Sequence, residues 1–385
     1  MFLHLIAIIF VKIKHRYSNS KQNLIMKKAS LLLFSFVLSL TSIGQDSTKS
    51  ALTFSGYVDS YYQYNLNNPL SGSNMGASNA RTFDQKSAAF QVGLAQVKAS
   101  YTSSKVDGVI DLVFGNFADL TNYGNFASPL AGSTSTALAI KQAYMTWKPT
   151  SKFSLTAGQF GTHIGYEVTD APLNYSYSLS NLFNNGPFYH TGVKAQVALG
   201  EKAYLMAGLV NGVDSKDDNN KAKGLIAQFY VTPVKGWNVY LNYIGSNEAS
   251  VGKSVYSLAD LTTNYQISDK FLFGVNAAYG TQDSKTWGGI ALYPSYAVSE
   301  KFSIGGRYEY FDNKSGVRGL LDGDKNGTYV NSITITASLN VLPNLSFKPE
   351  FRMDTYPSKA QFEDSKGDFT KNSQSTIGIA AIFKY

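Results

Sequence analysis

His163 and His190 are the only imidazoles downstream of residue 44. Any general-base chemistry near neutral pH would fall to one of them. A lone loop histidine more often packs or hydrogen-bonds than catalyses, and no serine beside either one is marked as an activated nucleophile. No Gly-x-Ser-x-Gly, His-Glu-x-x-His or Walker pattern stands out. The run Asp322-Gly323-Asp324-Lys325-Asn326-Gly327 matches the first half of a calcium loop. Asp322, Asp324 and Asn326 would supply the oxygens for Ca²⁺, but Ile333 stands where a bidentate glutamate is needed. The rival reading is a polar turn with glycines at positive φ. No other cofactor is expected. The absence of cysteine removes thiol nucleophiles, thiolate zinc sites, disulfides and a cysteine-linked lipid anchor.

The ionised residues follow a different pattern. Lys348, Glu350, Arg352 and Asp354 alternate with Leu345, Phe347, Phe351 and Met353, so an extended strand separates the two sets by face. Arg307 and Glu309 likewise oppose Phe302, Ile304, Tyr308 and Tyr310, and Ser332 to Asn340 oppose Ile333 to Val341. A charge on a lipid-facing surface at mid-depth costs roughly 2–4 kcal/mol, so four on one strand must face something wet. Asp59, Lys98 and Asp111 join them on the inward side. Four bases against five acids are too even to assign ion selectivity. A soluble sandwich would put these charges outside, but it accounts for neither end of the chain.

Those faces belong to a repeating unit: about ten alternating residues, a turn, about ten more, then a longer polar loop. Seven short turns lie near Thr102–Asp107, Pro149–Lys152, Gly200–Lys202, Pro233–Gly236, Ile267–Lys270, Val298–Lys301 and Val341–Asn344. Seven hairpins with a first and a last strand make about 16 strands, the third near Gly108–Phe117. Strands of about nine to eleven residues span a bilayer when tilted. An even count with short turns at one end and long loops at the other predicts an all-β fold. It is a transmembrane antiparallel up-and-down barrel over residues 53–385, with both ends periplasmic and the long loops extracellular. Aromatics at strand ends, among them Tyr61, Tyr62, Tyr64, Trp147, Phe153 and Trp237, suit interfacial girdles.

Composition agrees. Charged residues make up 16% of the chain against roughly 25% in a typical soluble domain. There are 26 tyrosines and 24 phenylalanines. Mean hydropathy is −0.14, and downstream of the N-terminal segments no apolar run is long enough for a helical span. Lys27 and Lys28, then Leu31–Leu40, then Ser42-Ile43-Gly44 read as a signal peptide over 26–44. Residues 1–25 read as an upstream extension with a misplaced start, and 45–52 as a short periplasmic segment. Six of the 34 basic residues and none of the 26 acidic ones lie in 1–44, leaving 28 against 26. The basic pI therefore belongs largely to the leader and makes no case for nucleic acid.

The final strand carries Ile377, Ile379, Ala381, Phe383 and Tyr385 on one face. An apolar face that runs to a terminal aromatic resembles the signal of bacterial outer-membrane proteins, with Phe383 and Tyr385 as its key residues. That resemblance implies outer-membrane lipids and the barrel assembly machinery as partners.

The longest connection, 162–189, contains Gly165-Tyr166-Glu167-Val168-Thr169-Asp170-Ala171-Pro172 and ends in Asn185-Gly186-Pro187-Phe188-Tyr189-His190-Thr191-Gly192. A loop this long is functional or disordered, and its aromatic content suits packing against a wall. On this stretch above all, the chain resembles the outer-membrane β-barrel porins of the OmpL-like, porin-2 type. The resemblance implies a water-filled channel for passive diffusion of small hydrophilic solutes, no enzymatic turnover, and a third loop that narrows the lumen. It is similar to sixteen-stranded porins in general, and so implies a homotrimer. Glu167 and Asp170 would be acidic groups at the constriction, opposed across it by Lys98, Arg307, Lys348 and Arg352 on the wall. The alternative is a barrel with a plugged lumen that serves as a surface adhesin or scaffold. A third reading, an outer-membrane hydrolase, would need one of the two histidines.

Overall fold

The computed structural model describes residues 50–122 and 136–385. The expected leader over 1–44, and all but the end of the 45–52 segment, lie outside the described residues. Sixteen strands close into one antiparallel barrel. In the first half they are β1 (Ala51–Asn65), β2 (Ala89–Thr102), β3 (Val106–Phe114), β4 (Ile140–Thr150), β5 (Phe153–Gly161), β6 (Tyr189–Ala198), β7 (Ala203–Val210) and β8 (Gly224–Val231). The second half continues with β9 (Trp237–Asn247), β10 (Val255–Gln266), β11 (Phe271–Gln282), β12 (Lys285–Ala297), β13 (Phe302–Asn313), β14 (Thr328–Leu342) and β15 (Leu345–Thr355). After the small hairpin β16 (Phe362–Glu363) and β17 (Phe369–Lys371), β18 (Ser373–Lys384) returns to pair with both β15 and β1. Closure removes every free edge, and a lipid-embedded sheet requires that.

All seven expected short turns join consecutive strands, so the long loops share the other rim. In order the connections there are L1 (66–88), L2 (115–139), L3 (162–188), L4 (211–223), L5 (248–254), L6 (283–284), L7 (314–327) and L8 (356–372), of which L6 is a two-residue turn rather than the long loop expected. The period of 2 sorts side chains as expected: Ile333, Ile335, Ile377, Ile379 and Phe383 point outward, while Ser332, Thr334, Arg352 and Thr376 are buried inside.

Five expectations need correction. Ala51 and Leu52 belong to β1 rather than to a preceding segment, and Tyr189 opens β6 rather than closing L3. The third strand stops at Phe114, because Gly115 takes φ 113 and turns the chain into the helix α1 (Asn116–Thr121). Tyr61 is no girdle residue. The alternation that sends Asp59 inward sends Tyr61 inward too, where it is 3% exposed and meets the rings of Phe117 and Tyr177. Finally, the inner face is not polar throughout. Val210, Ile226, Ile244 and Leu258 line it toward the loop end of β7–β10 and are fully buried under loop residues such as Leu182.

Candidate functional site: the third loop inside the lumen

L3 folds into the barrel and is hydrogen-bonded to its wall on several sides. Its short helix α2 (Asn181–Asn185) begins at Ser180, whose hydroxyl accepts the Phe183 N–H at 3.0 Å. The first backbone donors of a helix need acceptors. Here Glu309 of β13 takes the N–H groups of Asn181 and Leu182 at 2.8 and 2.7 Å. Two strands over, Glu350 of β15 takes the N–H groups of Tyr177 and Ser178 at 2.7 and 3.0 Å. Lys348 donates to the carbonyls of Ala171 and Asn174, and Arg352 to that of Leu179 at 2.8 Å. Arg307 donates to Glu167 and to the Ser178 carbonyl, each at 2.6 Å. Farther along the wall on either side, Asp59 of β1 accepts the Tyr177 hydroxyl at 2.7 Å, and Asp260 of β10 accepts the Gly165 N–H at 3.0 Å.

Three L3 tyrosines fit over wall glycines. A Cβ at Gly274 would lie 2.3 Å from the Tyr166 hydroxyl, and one at Gly305 would lie 2.5 Å from the Tyr175 ring. One at Gly93 would lie 2.5 Å from the Tyr177 hydroxyl. At these positions the absence of a side chain makes the space the rings occupy. Tyr166 also stacks on Tyr293, with centroids 4.3 Å apart.

L1 contributes a second anchor that sequence reasoning missed. Arg81, completely buried, pairs with Asp84 of its own loop and with Asp354 at 2.6 Å, and donates to Thr376 at 3.1 Å. Burial works against its charge, but Asp354 and Asp84 outweigh that and hold its pKa above the usual value. Burial likewise works against Asp84, and Arg81 and Arg352 overcome it, leaving the carboxyl below its ordinary range. Nothing in the Gly-, Ser- and Asn-rich sequence of L1 marks Arg81 as different from a solvated arginine.

All nine wall charges read from the sequence lie on the inner face. Asp59, Asp111, Arg307, Glu309, Lys348, Arg352 and Asp354 are buried, and Lys98 and Glu350 partly so. The expected opposition of L3 acids and wall bases across open water is not the arrangement found. Arg307 bonds Glu167 directly, and Lys348 and Arg352 hold L3 carbonyls, because a loop with this many backbone donors and acceptors needs partners once inside. Asp170 pairs instead with Lys141 and accepts Gln96 at 2.9 Å. Lys141 was missed because its inward direction depends on a one-residue register shift opposite Asp111 and Leu112, a feature alternation alone does not reveal.

Between the first half of L3 and the β1–β4 wall a cavity of about 610 Å³ remains, with Lys98, Asp111, Lys141, Asp170 and Lys384 on its lining. His163, on the same lining, bonds the Tyr243 carbonyl at 3.0 Å, and burial pushes its pKa down to about 4. His190 is fully buried and contacts the Thr162 hydroxyl at 3.0 Å. In L7, Asp322 Oδ1 accepts the N–H groups of Asp324 and Asn326, each at 2.9 Å, as in a polar turn, but the positive φ falls on Lys325 (φ 64) and not on Gly323 or Gly327 as expected. Among the described residues no three His, Cys, Asp or Glu side chains gather as metal ligands. Phe383 and Tyr385 lie on the outer face, and the Tyr385 backbone pairs with Gly56 at the strand seam.

Residues 51–385 match the model of the family described as "Putative beta-barrel porin-2, OmpL-like". A search of curated proteins returns no match. Among solved structures, the outer-membrane channel DcaP of Acinetobacter baumannii aligns with TM-score 0.58 at 12% identity, over 89% of this chain and 99% of that one. An anion-selective porin from Comamonas acidovorans aligns with TM-score 0.58 at 10% identity, over 88% and 100%. OmpT of Vibrio cholerae in its trimer form aligns with TM-score 0.55 at 13% identity, over 87% and 99%. At these identities the likeness is one of fold.

Proposed function

The chain belongs to the OmpL-like, β-barrel porin-2 family of the outer membrane, and from that premise we propose that it is a passive channel for small hydrophilic solutes, narrowed by L3. The observation that carries this reading is the cavity of about 610 Å³ left beside L3 inside a closed sixteen-stranded barrel. A solute crossing there passes between the first half of L3 and β1–β4, where ionised and amide groups can replace part of its hydration shell. Transport needs no turnover and no cofactor. His190 is sealed behind L3 without an orienting carboxylate among its hydrogen bonds, and that geometry favours a packing role over hydrolysis.

Assembly as a homotrimer, by analogy with the trimeric OmpT structure, is part of the proposal. So is reading of Phe383 and Tyr385 by the barrel assembly machinery. The plugged-barrel alternative draws on one observation, the apolar packing of Leu182, Phe183 and Phe83 with the wall and loops toward the loop end. Single-channel recording of the refolded protein in a planar bilayer separates the two. Discrete ohmic steps support the channel, and a silent barrel supports the adhesin or scaffold.

A further inference from the structure

We propose that the cavity beside L3 is a binding site for small organic anions with an apolar body, such as medium-chain carboxylates. The inference rests on the channel reading and adds the solute class.

The acids around the cavity are turned into the wall or L3, although Asp111, directly opposite Lys98 across β2 and β3, keeps one buried oxygen, Oδ1, without a hydrogen bond. Asp111, 1% exposed, accepts the Gln96 and Gln142 amides at 3.1 Å each. Asp170 holds both Lys141 and Gln96, and Glu167 holds Arg307. The Tyr385 backbone oxygen is taken by the Gly56 N–H at 3.1 Å. Two amines are left. Among the described residues, neither Lys98 nor Lys384 forms an ion pair. Lys98 on β2 is opposite Ser55 and Lys384 on β18 is opposite Tyr57, so β1 runs between them on the inner wall. Two strand spacings and the two-residue offset from Ser55 to Tyr57 put their backbones roughly 12 Å apart. Solute in the cavity therefore meets ammonium groups, while the carboxylates are turned into the wall or into L3.

The opposite side is aliphatic. Leu173 and Val168 of L3 line the same space and remain 74% and 40% exposed, with Pro172 beside them. They face a lumen that L3 otherwise enters with its polar groups bonded. Small-molecule sites run to about 300–1,000 Å³ and combine an apolar lining with a few placed polar groups, which this cavity does. A carboxylate reaching Lys98 or Lys384 lays its hydrocarbon tail on Leu173. An inorganic anion gains only the first contact, a neutral alcohol only the second, and an alkylammonium meets like charge.

The test is single-channel recording in potassium chloride with sodium hexanoate, sodium acetate, hexanol or hexylammonium chloride added in turn. Hexanoate is expected to interrupt the current at concentrations at least roughly tenfold below acetate, the ratio that burial of its extra methylenes supplies. Lys98→Gln combined with Lys384→Gln weakens hexanoate block by roughly tenfold or more, since each removes a charge-assisted contact. Leu173→Ser erases the advantage of hexanoate over acetate. Current that passes freely in hexanoate, or is blocked better by hexylammonium, overturns the inference and leaves the channel reading standing. A barrel without current overturns both.

Discussion

Glu167 of L3 and Arg307 of β13 are joined at 2.6 Å with both side chains shielded from water. The pair is one of two places, with Asp170 and Lys141, where a carboxylate of the loop rather than its backbone is bonded to a basic side chain of the wall. It lies beside Glu309, which also bears on Arg307, so one guanidinium faces two acids.

Replacing that guanidinium leaves Glu167 buried without its bonded cation, and Glu309 with Arg352 alone bearing on it. Breaking a buried pair by removing one partner typically costs about 3–5 kcal/mol. Arg307→Met is therefore expected to loosen L3, with larger and noisier unit conductance and a lower temperature for loss of the compact band on electrophoresis. Adding Glu167→Gln to Arg307→Met recovers part of the loss. Additive single and double variants would show that the two side chains do not act together.

The seating of Tyr175 on Gly305 gives a steric test. Gly305→Val drives a side chain into the tyrosine ring, and overpacking of this kind costs about 1–3 kcal/mol. L3 becomes a protease target near Tyr175 in the variant and resists in the parent. Tyr175→Ala in the same chain removes the ring clash but not the close approach of the Pro294 carbonyl, and slows cleavage in part.

Protonation of His163 gives L3 a pH dependence. Its pKa is pushed down to about 4, by burial first and by Lys194, against the opposing hydrogen bond to Tyr243. An unfolded histidine titrates near about 6.5, so the folded form binds protons less readily. The contribution to stability is complete above about 6.5 and is lost progressively as the pH falls toward 4. Current noise and L3 cleavage are expected to rise between about pH 7 and pH 5 in the parent. His163→Gln, which keeps a donor for the Tyr243 carbonyl, flattens the change. An identical rise in this variant would assign the effect to other groups.

Tyr385 separates assembly from stability. Its ring is largely exposed on the outer face, and only its backbone and hydroxyl bond the neighbouring strands, to Gly56 and Gln96. Tyr385→Ala is expected to fold in detergent nearly as well as the parent but to reach the outer membrane in much lower amount. Equal amounts in the membrane would remove Tyr385 from recognition.

The barrel was legible because lipid and water impose a strict period of 2. Ile333 to Val341 and Lys348 to Asp354 can satisfy both media in only one way. Alternation also placed Asp59, Arg307 and Glu309 on the inner side. It could not show what those residues touch, because their partners are L3 groups more than a hundred positions away, as with Asp59 and the Tyr177 hydroxyl or Glu309 and the Leu182 N–H. Arg81 and Lys141 escaped for the same kind of reason: one acts through a tertiary contact, the other through a register shift. The tyrosine seats on Gly93, Gly274 and Gly305 carry a weak trace in sequence, since isolated glycines within strands mark a close approach. They do not say what approaches.

The central claim is an aqueous path made narrow by an anchored L3. Unit conductance of the refolded protein with neutral polymers of graded size, beside the Arg307→Met variant, tests it most directly. The account predicts discrete steps in both, with larger polymers entering the variant than the parent. No steps, or one size limit shared by the two proteins, would contradict it.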